Sequence, residues 1–371
     1  PTKSSAASDV YKRQYLDNNA TAPLRPEAVT AMQQAMGPPS NPSSVHGFGR
    51  SARLIVEGAR EEIAILVGSR AADIVFTSGG TESNNLVLSG FDHIITSAIE
   101  HDSVLHAAPG ADIVRVDRDG LIDLDHLADC LDAVPDAMRA KTLVSVMMAN
   151  NETGVIQPIE SVVAMARDAG AAVHSDMVQM LGKTHLDFAN SGLDYATISA
   201  HKIGGPAGVG ALLVRPGNRL TSLLRGGGQE QGRRSGTENF LGIAGFGAAA
   251  RAAFDDVGLY HDMAGWRDAF EARMQKMRDD VAIFGSRADR IGNTSCIAVG
   301  DKTSEIMVMA LDIAGIAVSA GAACSSGKVH ESHVLTAMQA GEGARRAVRI
   351  SAGWQSQAAD FERLAEVLSD L

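Results

Sequence analysis

Residues 73–85 read DIVFTSGGTESNN, a run of β-formers that breaks into two glycines and continues with polar residues suited to opening a helix. The glycines let the backbone curl, and the free amides at a helix start face an anion. The stretch is a phosphate seat between a strand at 73–78 and the helix that follows. It has neither the Lys-Ser/Thr ending of a P-loop nor a GxGxxG spacing, which argues against ATP and NAD. An ordinary strand-to-helix turn capped by Thr or Ser would look the same, so the neighbouring segments must decide.

Outward from this stretch, six further strand-like runs follow at 92–98, 111–116, 142–149, 171–175, 194–199 and 208–214, separated by helical segments such as 160–169. Several are almost continuously apolar, the mark of strands buried on both faces. The predicted fold is α/β: a large domain with a mostly parallel, about seven-stranded sheet flanked by helices, its chemistry at the strands' carboxyl ends. After residue 214 a Gly-rich loop (225–236) leads into an Ala-rich helix (241–254), and a smaller α+β domain follows. Its expected strands are 295–299 and 316–319, and its expected helices 304–314, 333–339 and 360–368. The expected division is 1–14 as a non-native or disordered leader, 15–256 as the large domain and 257–371 as the small one.

The 371 residues exceed the roughly 250 to 300 at which single cores stop growing. With 45% apolar and 21% charged residues the chain can bury a large core. A net charge of -11 without a basic patch argues against direct nucleic-acid binding. The apolar runs fall short of the roughly 20 residues of a membrane span, and residues 1–14 lack the apolar centre of a secretory signal. A cytoplasmic protein is expected. Cys130, Cys296 and Cys324 are too far apart for a disulfide framework or a CxxC metal knuckle, and no HExxH occurs, so no metal site is expected.

Two further segments carry chemistry. In SAHKIGGP (199–206) a single lysine, Lys202, follows a buried strand among small residues. Desolvation there would lower its pKa and free the amine to form a Schiff base; a surface loop lysine is the plainer alternative. In AAVHSDMVQ (171–179), Asp176 ends a strand, with Gln179 three residues on. An acid there could keep a pyridinium nitrogen protonated, or it could simply cap a helix. Phosphate seat, strand-end acid and post-strand lysine, in that order, together imply pyridoxal 5'-phosphate.

At this point the chain resembles the cysteine desulfurases of the class V aminotransferase family, fold-type-I pyridoxal phosphate enzymes. The resemblance runs from residue 15 to about 353 through YLDNNATAP (15–23), NPSSVH (41–46), FTSGGTESNN (76–85), EH (100–101), NNETG (150–154), SAHK (199–202), RSGTEN (234–239) and SAGAACSSG (319–327). It implies that Lys202 carries the cofactor, Asp176 pairs with the ring nitrogen, Gln179 bonds the ring hydroxyl and His101 stacks on the ring as a general acid or base. Gly80, Thr81, Ser199 and His201 would hold the phosphate, and Thr237 would reach the phosphate site of a second subunit, which implies a homodimer. Arg349, aided by Asn151, would clamp the substrate carboxylate. A surface role for Arg349 beside Arg345 and Arg346 stays open. Trp354 stands where relatives commonly carry Arg.

Cys324 decides the reaction. It sits among small residues in AGAACSSG, whereas Cys296 lies in the apolar run TSCIAV, where thiols are inert. The implied activity takes L-cysteine to L-alanine and leaves the sulfur on Cys324 as a persulfide. Sulfur-acceptor proteins of iron-sulfur cluster assembly or tRNA thiolation would then receive it. The alternatives are a selenocysteine lyase, another class V transaminase or lyase in which Cys324 is incidental, and a catalytically silent dimer.

Overall fold

The computed structural model describes residues 13–37, 39–321 and 331–371. Its first strand, β1 (Gln14–Tyr15), begins one residue before the stretch taken on sequence as the start of the fold. The large sheet contains β2 (Ile74–Thr77), β3 (His93–Ser97), β4 (Asp112–Val114), β5 (Thr142–Ser145), β6 (Ala172–Asp176), β7 (Tyr195–Ser199) and β8 (Gly210–Val214). Their order is β2-β8-β7-β6-β5-β3-β4, and only β8 runs against the others. All seven strand expectations fall on these strands. β2, β5, β7 and β8 are buried along their whole length, which is why their sequences lack the in-out alternation of a solvated sheet.

One core forms around the helix Gly47–Val67, with Val56, Ile63, Phe246 and Ile198 in one cluster. Fully burying a side chain of this kind contributes about 1.5–3 kcal/mol. A second core joins β9 (Val281–Ile283), β10 (Thr294–Val299), β11 (Ile316–Ala317) and β13 (Val348–Ser351) to the helices Val257–Met277, Ser304–Ile313 and Ala358–Asp370, and β12 (Ser319–Ala320) pairs with β13. β12-β13-β10-β9 form an antiparallel sheet, while β1 pairs in parallel with β11. Leu16 is fully buried in this second core beside Phe270, Ile297 and Ile350. The amino-terminal strand therefore packs with the carboxyl-terminal elements, and the chain between Leu16 and the helix Pro26–Ala35 crosses from one core to the other. Cys296 is fully buried on β10, and burial pushes its thiol far up.

Candidate active site

A cavity of about 400 Å³ opens at the carboxyl edge of the large sheet. Residues following β2, β3, β5, β6 and β7 reach it because those strands end on the same side, and Arg349 enters from β13 of the smaller sheet. Of the residues singled out on sequence, Gly80, Thr81, His101 and Asn151 line it, as do Asp176, Gln179, Ser199, His201, Lys202 and Arg349. Thr237 does not: it is exposed on the loop after Gly236. Cys324 lies outside the described residues.

The anion seat is set by backbone. Gly79 caps the helix Gly80–Leu88 at φ 155°, ψ -179°, a region open essentially to glycine alone. Behind it, a Cβ on Gly210 would come within 2.7 Å of the Gly79 Cα and of the Ile198 carbonyl, so β8 can pass only as glycine. Glu82 in the first turn accepts from the Ser78 amide at 2.8 Å and pairs with Arg234 at 2.8 Å. Burial works to raise its carboxyl, but the Arg234 and Ser78 hydrogen bonds outweigh it and hold Glu82 below the ordinary carboxylate range. RSGTEN is thereby tied to TSGGTES.

Asp176 ends β6 with both oxygens directed. Oδ1 accepts from the Val178 amide at 3.0 Å and Oδ2 from Asn84 Nδ2 at 2.9 Å. Asn84 Nδ2 also donates to Ser103 Oγ at 2.9 Å, which lies 2.8 Å from His101 Nδ1. His101 Nδ1 further accepts from the Ser103 amide, so the ring proton of the neutral imidazole sits on Nε2. Sequence reading passed over Asn84 and Ser103. Asn84 stood in plain view, four residues past Gly80 and therefore on the same helix face. Below Asp176, His174 is fully buried between Ser145 Oγ and Thr197 Oγ1, and burial pushes it down to about 4 despite the nearby acid.

Lys202 closes a short helical turn, Ala200–Lys202, directly after β7. Its Nζ donates to the Asn19 and Ala20 carbonyls at 2.5 and 3.0 Å. Burial, reinforced by the Arg349 charge and opposed by Asp176 and Asp17, pushes its pKa down to about 8. His201 is likewise pushed down to about 4 by burial and then by Lys202. The surface-lysine alternative does not describe this residue.

Arg349 is 4% exposed, which overturns the surface alternative. Arg345 and Arg346 pair with Glu331 and Asp301 on the outside, while Arg349 sits on β13 and points inward. Its Nη2 donates to Asp17 Oδ1 at 2.6 Å and its Nη1 to the Asn151 carbonyl at 3.2 Å, and its buried Nε has no partner among the described residues. Asn19 was also missed on sequence. Its carbonyl takes Lys202 Nζ and Gln179 Nε2, and its side chain donates to Thr294 Oγ1 and to the Asn151 carbonyl. Glu152 of NNETG is buried; Ser332 Oγ donates to its Oε2 at 2.6 Å, and a Cβ on Gly321 would meet that same oxygen. Trp354 lies 5.0 Å from the Arg25 guanidinium and donates its Nε1–H to the Pro23 carbonyl.

The Aminotransferase class-V family pattern matches residues 14–364. Cysteine desulfurase IscS from Dictyoglomus turgidum is 38% identical, with 95% of this chain and 93% of the relative covered. A NifS-like protein from Rickettsia africae superposes with a TM-score of 0.88 at 36% identity, covering 97% of this chain and all of that one. A structure described as SspA in complex with cysteine matches with a TM-score of 0.75 at 29% identity, over 91% of this chain and 98% of that one. With family match, sequence identity and superposition all extending along nearly its whole length, the chain belongs to the class-V aminotransferase family, among its cysteine desulfurases.

Proposed function

We propose that this chain is a pyridoxal-phosphate-dependent enzyme that converts L-cysteine to L-alanine and leaves the sulfur on Cys324 as a persulfide. A sulfur-acceptor protein of iron-sulfur cluster assembly or tRNA thiolation then takes that sulfur. The observation that carries the reading is Lys202: a buried amine held near 8, in one cavity with an anion seat, a strand-end acid and a buried arginine. A solved structural relative described in complex with cysteine supports the substrate class.

The residues fit the cofactor. Gly80 and Thr81 at the helix start, with Ser199 and His201 opposite, suit a phosphate. Asp176 suits a protonated ring nitrogen, Gln179 a ring hydroxyl, and His101 a stacked ring. When bound, the cofactor supplies an electron sink for the α-carbon of an amino acid. Arg349 and Asn151 hold the substrate carboxylate; the Arg349 Nε, without a partner among the described residues, is a donor left over for it. Lys202, neutral in part at ordinary pH, takes and returns the α-proton, and His101 Nε2 exchanges a proton on the other side. The Cys324 thiolate attacks the substrate sulfur, an S–S bond forms as the C–S bond breaks, and the electron pair goes to the carbon fragment. That fragment is protonated and leaves as alanine.

The exposed position of Thr237 supports a homodimer in which each chain completes its partner's phosphate site. A cytoplasmic location, and the division into domains at residue 256, belong to the same proposal. No helix among the described residues is long and apolar enough to cross a membrane.

Mass spectrometry after incubation with L-cysteine tests the reading. One added sulfur on the Cys324 peptide, with alanine released, is expected, and Cys324→Ala must lose both the adduct and sulfide production. Sulfide release that survives Cys324→Ala would favour a lyase in which this thiol is incidental.

A further inference from the structure

Against Asn19 and Gln179, two residues of the cavity wall, packs a lysine that the reaction above leaves unused. Lys183 lies in the turn after β6, four residues beyond Gln179, and is only 7% exposed. Its Nζ donates to Gln179 Oε1 and to Asn19 Oδ1, each at 3.0 Å. Both acceptors belong to groups already engaged elsewhere. Gln179 Nε2 donates to the Asn19 carbonyl at 3.1 Å, the same carbonyl that takes Lys202 Nζ. Asn19 Oδ1 also receives Asn293 Nδ2 at 3.1 Å.

A glutamine amide has one accepting and one donating end, and rotation by half a turn exchanges them. With Lys183 on the oxygen, only the NH2 end remains for the face shared with Lys202. We infer that Lys183 is a positioning residue: its two hydrogen bonds hold Gln179 and Asn19 so that the cofactor's phenolic oxygen meets the donor end of Gln179 rather than its carbonyl. The inference rests on the proposed cofactor reading. Electrostatics agree with the geometry. Burial, and then the Lys202 and Arg349 charges, push Lys183 well below the ordinary lysine value.

A donor facing the phenolic oxygen stabilises its anionic form. Lys183→Met leaves the Gln179 carbonyl free to turn inward, where it repels that anion. The test is a pH titration of the visible absorbance of the cofactor-loaded protein, in wild type, Lys183→Met, Gln179→Leu and the double variant. Lys183→Met is expected to raise the midpoint by about one pH unit, the size of one hydrogen bond to a charged oxygen. In the Gln179→Leu background the same change is expected to add nothing, because Lys183 acts through that amide. An unmoved midpoint in Lys183→Met overturns the inference, as does an equal shift in both backgrounds. Should Lys183→Met fail to fold, Lys183→Leu, which likewise removes the donor and leaves an apolar side chain, carries the same cycle with the same two overturning outcomes. A wild-type protein that takes up no cofactor and shows no visible band would instead sink the cofactor reading itself.

Discussion

Asn84 Nδ2 stands 2.9 Å from Asp176 Oδ2, so the helix that opens the anion seat also grips the carboxylate at the end of β6. The same amide nitrogen reaches Ser103, which holds His101. Three segments that follow three different strands are thus locked together around one amide. The Gly79–Gly80 turn, the Asp176 carboxylate and the His101 imidazole cannot shift independently.

Asn84→Leu removes that amide while leaving the helix face apolar and filled. Asp176 then keeps its Val178 contact but loses the donor on its other oxygen. Cofactor affinity is expected to fall by about tenfold, the value of one hydrogen bond to a charged group. Fluorescence titration of the cofactor-free protein with pyridoxal phosphate measures it; unchanged affinity would mean that Asp176 needs no such support.

Because Lys202 sits near 8 instead of 10.5, its reactive neutral form appears early. The rate of cofactor uptake by cofactor-free protein is expected to climb with pH and level off above about 8. A rate still climbing at pH 10 would indicate an ordinary lysine. Borohydride reduction should leave the cofactor attached to wild-type protein, and Lys202→Ala should abolish the adduct.

Arg349→Lys keeps the charge and loses the fork. A lysine cannot bond Asp17, the Asn151 carbonyl and an incoming carboxylate in one plane. KM for L-cysteine is expected to rise about tenfold or more, in line with one lost charged hydrogen bond, while the visible cofactor band stays as in wild type. Equal losses in cofactor binding and KM would show that Arg349 supports the site's architecture instead of the substrate.

Glu100 offers a stability test remote from turnover. It is fully buried, accepting from Ser97 Oγ at 2.5 Å and from the Met147 amide, yet burial outweighs these bonds and pushes it up to about 8. The folded protein then keeps this proton between about pH 4.5 and 8 while the unfolded chain releases it, so stability falls as pH rises through that window. Glu100→Gln cannot ionise and is expected to lose less of its Tm between those limits. Parallel Tm profiles for the two proteins would show that Glu100 is ionised in the native state.

Seven strands, the glycine seat, Asp176 and Lys202 were legible in the chain, because each is written locally: strands buried on both faces are continuous apolar runs, and strand ends carry polar punctuation. Resemblance to a family supplied roles for Gln179, His101 and Arg349, but left the arginine between surface and site. Its strand, β13, is four residues long and follows a basic turn, too little pattern to announce itself. The contact that buries it joins Arg349 to Asp17, 332 residues away. The same distance in sequence hides the work of Asn19, which meets Gln179, Lys183, Lys202 and Asn293 only after both cores have formed.

By itself, then, the sequence determined the layered architecture and the chemical types present, since backbone propensity and burial act over a few neighbouring residues. Only the tertiary structure decided which amide faces which carboxylate and which cation is stripped of water. Those properties depend on the low-dielectric space enclosed between distant segments, and no short stretch of chain encodes that space alone.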